Sequence, residues 1–185
     1  MNKNYDESKI GKRIGHGSDR IVYMYGENQV IKISKFSYIL GKKIHFKLLK
    51  DYEICKKYFG EFVVETQNVS GKGSTYVEIQ SFVHGVSYTK KHSENKVLHA
   101  QLQEIKNITD RMILDGNHPI DLIGHGALTG FRLSNVFVDE KNQLQIIDAA
   151  LLEGNSVGWV GVIGFPIFIF LKLYQTFILN YLLQV

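Results

Sequence analysis

Two polar side chains stand at the ends of an otherwise apolar pair of strand-like runs in the last third of the chain. Asn135 opens the run Asn-Val-Phe-Val-Asp, and Asp148 follows the run Gln-Leu-Gln-Ile-Ile. Residues 140–142, between the two runs, are good turn formers, so the pattern predicts a β-hairpin. An amide and a carboxylate at the two feet of an otherwise apolar hairpin, one before its first strand and one after its second, have no packing rationale. They are therefore candidate metal ligands, and capping of turns is the alternative.

A second group of residues, near the N-terminus, could bind phosphate. Gly15 and Gly17 lie two positions apart between strand-like runs, and Val22 stands five positions after Gly17. Without Cβ atoms, such a segment lets backbone N–H groups approach phosphate oxygens, although a structural turn is the alternative. Lys32 lies on the third strand-like run between two isoleucines. Burying its ammonium there is costly unless the ammonium meets an anion.

Hydrophobic periodicity predicts the strands that must position these residues. Residues 26–28 are typical of a turn, so the second and third strands are predicted to form a hairpin. A short link through Gly85 is predicted after the fifth strand. Besides the hairpin that begins at Asn135, the predicted strands are Lys12–Gly15, Arg20–Tyr25, Gln29–Ser34, Phe62–Val69 and Thr75–Phe82.

Two helices are predicted from apolar residues that recur at spacings of three and four. The first runs from about residue 38 to 58, and the second from about 94 to 114 with Gly116 as its stop. The stripe of the first helix is Ile44, Leu48, Leu49, Tyr52 and Cys55; that of the second is Val97, Leu98, Leu102, Ile105, Ile108 and Met112.

The order of the N-terminal features resembles the N-lobe of protein kinases, in which a glycine-rich loop and a following valine cover the ATP phosphates. Gly15, Gly17, Val22 and Lys32 match that pattern, and Lys32 stands where the family has its phosphate lysine. The resemblance implies an α+β, protein-kinase-like bilobal fold. Its N-lobe would be a five-stranded antiparallel sheet with one helix, and its C-lobe would be reduced and mainly helical.

The hairpin matches the same family. Protein kinases hold magnesium with an asparagine before one hairpin strand and an aspartate after its partner, and here Asp148 lies 13 positions after Asn135, the spacing that the family uses. The resemblance spans roughly residues 10–153 and extends to short kinase-like proteins of bacteria with truncated C-lobes. It implies ATP and Mg²⁺ as cofactors, with Lys32, Asn135 and Asp148 as the residues that bind them.

The resemblance also assigns residues around the nucleotide. Glu53, in the predicted first helix, is expected to pair with Lys32, and Asp51 is the alternative. The strand that ends near Phe82 corresponds to the family's hinge. Gln80 is expected at the back of the adenine pocket, and backbone groups from Ser81 to Val83, Phe82 among them, are expected to contact the base. An ordinary strand and loop is the alternative.

Several positions depart from the family pattern. Arg20 replaces the third glycine, Gly130 stands where the catalytic aspartate is expected, and residues 149–150 are alanines instead of Phe-Gly. Asp121 or His125 is a candidate replacement base. A metal site is a disfavoured interpretation of the nearby set His118, Asp121 and His125.

Composition is that of a folded protein of 185 residues, 44% hydrophobic and 22% charged, with a net charge of +4. The single cysteine, Cys55, is predicted to be buried, and one cysteine fits a reducing compartment. We expect a cytoplasmic protein without a secretory signal. No nucleic-acid-binding signature is present, so the expected partners are a nucleotide and a protein substrate or partner.

The C-terminal tail, 157–185, is strongly apolar. Lys172 interrupts it, and Gly and Pro residues precede Lys172. Three alternatives stay open: packing within a small C-lobe, contact with a partner or membrane surface, and a membrane span. The stripe after Lys172 comprises Leu173, Phe177, Ile178, Tyr181 and Leu182.

Taken together, the sequence predicts an ATP- and Mg²⁺-dependent phosphotransferase, and a pseudokinase that acts as a nucleotide-binding or partner-binding scaffold is the alternative. The predicted segments are a flexible N-terminus at 1–9, an N-lobe at 10–84, a C-lobe with the hairpin at 85–153 and an apolar helical tail at 154–185.

Overall fold

The computed structural model describes residues 4–16, 20–34, 42–70, 75–124, 130–153 and 159–184. For 42–44 and 159–166 it describes the backbone only. The chain forms two compact units. The first comprises Met1–Glu53 and Val64–Val83, and the second comprises Ile54–Val63 and His84–Val185.

The first unit contains a five-stranded antiparallel sheet, as the sequence predicted. Ile, Val and Tyr side chains on one face form its core. Ile31 is completely buried in this core, and Val77 and Ile79 are also buried there. The strands follow the order β1-β2-β3-β5-β4. Their bounds are Ile10–His16 for β1, Arg20–Tyr25 for β2, Gln29–Ser34 for β3, Thr66–Asn68 for β4 and Val77–Ser81 for β5.

Helix α1, Lys42–Phe59, has its buried residues at Leu48, Asp51, Cys55 and Phe59. The spacings of three and four confirm the predicted periodicity and the burial of Cys55. Leu49 was placed in the apolar stripe, but it is exposed, because it lies one residue beyond Leu48 and therefore points about 100° away around the helix.

The second unit is mainly helical and also contains a three-stranded antiparallel sheet in the order β6-β7-β8. The hairpin of β7 and β8 was predicted. Strand β6 was not, because its residues were read as a link through Gly85. An added Cβ at Gly85 would lie 2.3 Å from the Val138 carbonyl oxygen, so only glycine permits this approach of β6 to β7. The bounds are Gly85–Thr89 for β6, Arg132–Asp139 for β7 and Leu144–Ile146 for β8.

Helix α2, Lys96–Leu114, begins at the N-cap Asn95, whose side chain accepts hydrogen bonds from two backbone N–H groups. Five of the six predicted stripe residues are buried along it: Leu98, Leu102, Ile105, Ile108 and Met112. Val97 was predicted with them but is 60% exposed, because it lies in the first turn, outside the buried face.

Helix α3, Trp159–Leu183, is continuous through Gly161, Gly164 and Pro166. Its C-terminal half packs within the second unit through Ile178, Leu179 and Leu182, and the Ser93 hydroxyl donates to the Leu182 carbonyl at 2.6 Å. The packing alternative is therefore confirmed for this half. Leu173 and Phe177 were predicted in the same stripe but are exposed on another face.

Lys172 of α3 lies within the second unit rather than in open solvent. Its Nζ is 4.4 Å from the centre of the Phe168 ring, and burial lowers its pKa. In the part of the chain that the structure describes, no helix has the length and apolar character required to cross a membrane.

Three short 3₁₀ turns complete the described elements, at Glu7–Lys9, Gly60–Phe62 and Lys90–Glu94.

Candidate functional site

Gly15 and Val22 lie side by side in the first unit, because β1 and β2 pair them directly. An added Cβ at Gly15 would make only an ordinary contact, 3.8 Å from Val22 Cβ, and the backbone of Gly15 does not have the positive φ of a turn glycine. Packing within the described residues therefore does not require glycine here. Gly17 lies outside the described residues.

The strand register places four residues in one row across the sheet. Val22 pairs with Lys32, Lys32 pairs with Glu78, and Glu78 pairs with Asn68. Directly paired residues in antiparallel strands have their side chains on the same face. Arg20 stands two residues before Val22 and shares that face, which lies opposite the apolar core. We call Arg20, Lys32 and Glu78 the charged triad.

The charged triad is buried and closely spaced. Nη1 of Arg20 lies 2.6 Å from Oε1 of Glu78, and Nζ of Lys32 lies 3.6 Å from the same oxygen. Each of the three side chains is less than a tenth exposed. Lys32 therefore does meet an anion inside the first unit, as the cost of burying its charge requires.

Tyr76 adds a further group to the triad. Burial raises the pKa of the Tyr76 hydroxyl, and the charge of Glu78, to which it is hydrogen-bonded, raises it further. The phenol is therefore protonated at neutral pH and acts as a donor toward Glu78. The ring edge of His45 packs against Tyr76, with 5.4 Å between ring centroids.

The acidic residues of α1 occupy different environments. Glu53, the predicted partner of Lys32, is exposed. Asp51, the alternative, is only 2% exposed, and its carboxylate lies 2.5 Å from Nζ of Lys47. The structure places the carboxylate of Glu78 beside Lys32, with Oε1 3.6 Å from Nζ. Its sequence signal was available, since Glu78 lies between Val77 and Ile79 as Lys32 lies between two isoleucines.

The residues assigned to the adenine pocket lie at the end of β5. Gln80 is buried, and Phe82 and Val83 are half-buried. The N–H of Phe82 donates to the Asn28 carbonyl at 2.9 Å, so this group is already bonded within the first unit. The backbone of Val83 therefore stays the better candidate for contact with a base.

In the second unit, the hairpin brings Asn135 close to Asp148. Val136 pairs with Ile146, and the N–H of Ile147 donates to the Asn135 carbonyl at 3.0 Å. Asp148 is the next residue, just beyond β8, so an amide residue and a carboxylate residue lie at the same, open end of the hairpin. Oxygen atoms of this type are the ligands that Mg²⁺ prefers.

Asp121 lies at the same end of the hairpin. Nδ2 of Asn135 donates to the Asp121 carbonyl at 2.8 Å, and the N–H of Asp121 donates to the Ala150 carbonyl at 2.8 Å. The Asp121 carboxylate accepts from the N–H of Gly124, also at 2.8 Å. Because Nδ2 of Asn135 is bonded, its Oδ1 is the atom that could bind a metal. Oδ1 lies 2.8 Å from the position of a Cβ at Gly124.

Helix α3 holds the segment that carries Asp121. The side chain of Gln175 is buried, donates to the Ile120 carbonyl at 2.9 Å and accepts from the N–H of Leu122 at 2.8 Å. Both backbone groups next to Asp121 are therefore anchored by one side chain.

Two other candidates of the sequence analysis, Gly130 and His118, lie in the described part of the chain. Gly130 is exposed and has no side chain to act as a base. Nδ1 of His118 lies 3.4 Å from Nζ of Lys172, and its Nε2 lies 4.0 Å from the Glu153 carboxylate. His125 lies outside the described residues. Within the described ranges, no three His, Cys, Asp or Glu side chains come together as a metal site.

Comparisons with known proteins support the fold. No protein-family model matches the chain, and no curated protein matches it. Solved structures do match. The PknI kinase domain of Mycobacterium tuberculosis has a TM-score of 0.51 at 10% identity, over 84% of this chain and 65% of that domain. A single mutant of that domain matches with a TM-score of 0.51 at 11% identity, over 80% and 62%, respectively. A double mutant of the same domain matches with a TM-score of 0.53 at 10% identity, over 83% of this chain and 65% of that domain.

These identities are low, so the likeness establishes the fold and not the activity. The chain has a reduced, protein-kinase-like bilobal fold and spans less than two thirds of the length of the PknI kinase domain.

Proposed function

We propose that the protein is an ATP- and Mg²⁺-dependent phosphotransferase. Lys32 binds the nucleotide phosphates, and Asn135 and Asp148 hold Mg²⁺. The observation that supports the proposal is the backbone hydrogen bond from Ile147 to Asn135, because Asp148 is the next residue after Ile147 at the open end of the hairpin. When bound, Mg²⁺ neutralises charge that develops on the transferred phosphoryl group.

The residue types fit this cofactor. Asn135 and Asp148 offer the hard oxygen ligands that Mg²⁺ takes, and the metal completes its coordination with water and phosphate oxygens. The Asn135 amide is fixed by its bond to the Asp121 carbonyl, so its oxygen does not have to be ordered when the ion binds. A site of two protein ligands is sufficient, because Mg²⁺ rarely has an all-protein cage.

Asp121 is the proposed general base, the group that accepts the proton of the attacking hydroxyl. The catalytic aspartate is expected at Gly130, but the hydrogen bonds of Asp121 place an aspartate beside Asn135 from an earlier position in the chain. A positioned base typically contributes about 10²–10⁴-fold to the rate. The glycine at position 130 therefore does not by itself remove catalysis.

The test is turnover of labelled ATP with Mg²⁺, measured as phosphate release and self-phosphorylation. We expect turnover by the wild type and its loss in Lys32→Ala and Asp148→Ala. Asp139→Asn, at the turn end of the same hairpin, is the matched control and should retain turnover. Equal background in the wild type and in both loss variants would contradict the proposal.

A pseudokinase is the second candidate, and one observation favours it. On α3, Ile167, Phe170, Leu173 and Phe177 are each more than half exposed, and they recur at spacings of three and four. The Phe131 ring, also exposed, lies 6.3 Å from that of Phe177. Such a row suits a protein partner. Binding of MgATP without turnover, together with retained partner binding in Asp148→Ala, would favour this function.

A further inference from the structure

The polar face of the first-unit sheet contains the carboxylate of Glu78. Glu78 lies on β5, which pairs with β3 on one side and with β4 on the other. Its backbone is therefore fixed by two strands. A side chain on such a strand is positioned more rigidly than one on an element bonded to no neighbour.

Glu78 contacts Arg20 and Lys32 through Oε1. Oε1 lies 2.6 Å from Nη1 of Arg20 and 3.6 Å from Nζ of Lys32, and all three side chains are nearly excluded from water. Charge-assisted contacts are strengthened where water is excluded. The shorter contact fixes the carboxylate, and the carboxylate then limits where the ammonium of Lys32 can point.

Arg20 stands where the sequence resemblance expects a third glycine, so the residue that departs from the pattern is also the residue that anchors Glu78. The backbone register supports the arrangement independently of side-chain rotamers. Lys32 is the direct partner of Glu78, and Arg20 lies on the neighbouring strand, two residues from the direct partner of Lys32.

Glu53, the residue of α1 that was predicted to pair with Lys32, does not lie within the charged triad. Glu53 is exposed, whereas Glu78 is 5% exposed and lies within the triad. Asp51 is buried on α1, and its carboxylate is bonded to Lys47. It is therefore the competing candidate for the role of Glu78.

We propose that Glu78 is the positioning residue for Lys32, held in place by Arg20, so that the charged triad replaces the pair between Lys32 and a helix glutamate. The proposal rests on the proposed function, because it assigns the orienting group for the lysine that binds the nucleotide phosphates. The ligand of the oriented Lys32 ammonium would be a nucleoside triphosphate.

The first experiment measures MgATP affinity by calorimetry and, where turnover is present, kcat and KM. Glu78→Gln is expected to weaken MgATP at least tenfold, and Glu78→Asp, which keeps the charge, is expected to recover part of that loss. Glu53→Gln, a change of the same type on α1, should stay within twofold of the wild type. Circular dichroism melts confirm that each variant is folded.

Some outcomes of this experiment overturn the proposal. Wild-type affinity in Glu78→Gln does so, as does a tenfold loss in Glu53→Gln or Asp51→Asn that exceeds the loss in Glu78→Gln. No recovery in Glu78→Asp, when that variant is folded, also counts against it, because a positioning carboxylate should act through its charge.

The second experiment needs no nucleotide and separates failure of the triad from failure of the proposed function. Double-mutant cycles in urea combine Glu78→Gln with Arg20→Met and with Lys32→Met, and both pairs are expected to be non-additive. Lys32→Met with Glu53→Gln is the additive control. Additivity in both Glu78 cycles overturns the triad. Coupled cycles in a protein that does not bind MgATP overturn the proposed function and leave the triad as a structural feature.

Discussion

The side-chain amide of Asn135 donates a 2.8 Å hydrogen bond to the backbone carbonyl of Asp121, 14 positions earlier in the chain. The Asp121 carboxylate in turn accepts from the N–H of Gly124. Together with the pairing of Ile147 and Asn135, these bonds bring a candidate base and two candidate metal ligands to one end of the β7–β8 hairpin. Gly130, the position expected from the sequence, has no part in the group.

Replacement of Asp121 by asparagine tests its role as a base. Asparagine retains the oxygen that accepts from Gly124, so the segment should keep its conformation while the proton acceptor is lost. We expect kcat to fall about 10²–10⁴-fold, with MgATP affinity unchanged. Single-turnover and binding measurements on the same samples separate the two quantities.

The control for this variant is Asp139→Asn, at the opposite end of β7, where the carboxylate accepts from the N–H groups of Lys141 and Gln143. It should leave kcat unchanged. If Asp121→Asn also leaves kcat unchanged, Asp121 is not the base.

Gly124→Ala is expected to disturb the metal ligand directly. Gly124 has a φ of 61°, and its added Cβ would lie 2.8 Å from Oδ1 of Asn135. The positive φ costs about 1–2 kcal/mol for alanine, and the close contact would push the Asn135 amide from its place. We expect lower stability together with weaker Mg²⁺-dependent binding of ATP.

Gly116→Ala provides a matched comparison for the backbone effect. Gly116 has a φ of 82°, but an added Cβ would meet no atom within 4 Å. It should show the loss of stability without the loss of metal dependence. Equal metal dependence in the two alanine variants would show that the Asn135 amide is not the ligand.

Gln175→Leu tests whether α3 supports the segment of Asp121. The change leaves the buried N–H of Leu122 without its acceptor, which costs about 1–3 kcal/mol of unfolding free energy. Because the anchors on both sides of Asp121 are lost, kcat should fall as well. Chemical denaturation and turnover report the two effects.

Thr176→Ala, the neighbouring exposed position on α3, should change stability by less than about 0.5 kcal/mol. A loss in Thr176→Ala equal to that in Gln175→Leu would mean that the helix is generally sensitive to substitution and that Gln175 has no special role.

Protonation of His45 is expected to destabilise the protein in acid. Burial lowers the pKa of His45 below its ordinary value of 6.5. The unfolded chain therefore binds a proton at a higher pH than the folded chain does. The contribution of His45 to stability is complete above pH 6.5 and is lost as the pH falls through the folded pKa.

His45→Phe keeps a ring against Tyr76 and removes the titration. Denaturation curves between pH 8 and pH 5 should show a smaller loss of unfolding free energy in His45→Phe than in the wild type. Identical slopes would show that His45 does not contribute to the pH dependence.

The sequence was sufficient for the elements with strong periodicity. Short strand-like runs, the first three of them rich in Ile, Val and Tyr, predicted the five strands of the first unit. The three-and-four spacing in α2 predicted its buried face from Leu98 to Met112. Strand β6 was missed, although Val86 to Thr89 alternate between apolar and polar residues, because the run is short and opens with a glycine that indicates a link. The pairing of Gly85 with Asp139 depends on a partner more than 50 residues away.

For the candidate site too, local patterns were predictable from the sequence and tertiary contacts were not. Asn135 and Asp148 were predicted as metal ligands from local pattern; the hairpin that carries them is confirmed, and their role as ligands stays a prediction. The apolar neighbours of Glu78 indicated a buried charge, but Lys32 could not be predicted as its partner, because the register of β3 and β5 is a tertiary pairing that a single sequence does not display. Asp121 was considered only as an alternative, since its proximity to Asn135 depends on a hydrogen bond across 14 positions.

Magnesium dependence of ATP binding tests the central claim most directly. The melting temperature would be measured with ATP in excess Mg²⁺ and with ATP in EDTA, for the wild type, Asn135→Ala, Asp148→Ala and the control Asp139→Asn. A ligand at 100 times its dissociation constant adds about 2.7 kcal/mol of stability. We expect that gain in the wild type and in Asp139→Asn only with Mg²⁺, and its loss in both alanine variants. No gain in the wild type, or an equal gain in EDTA and in Asp148→Ala, would contradict the account.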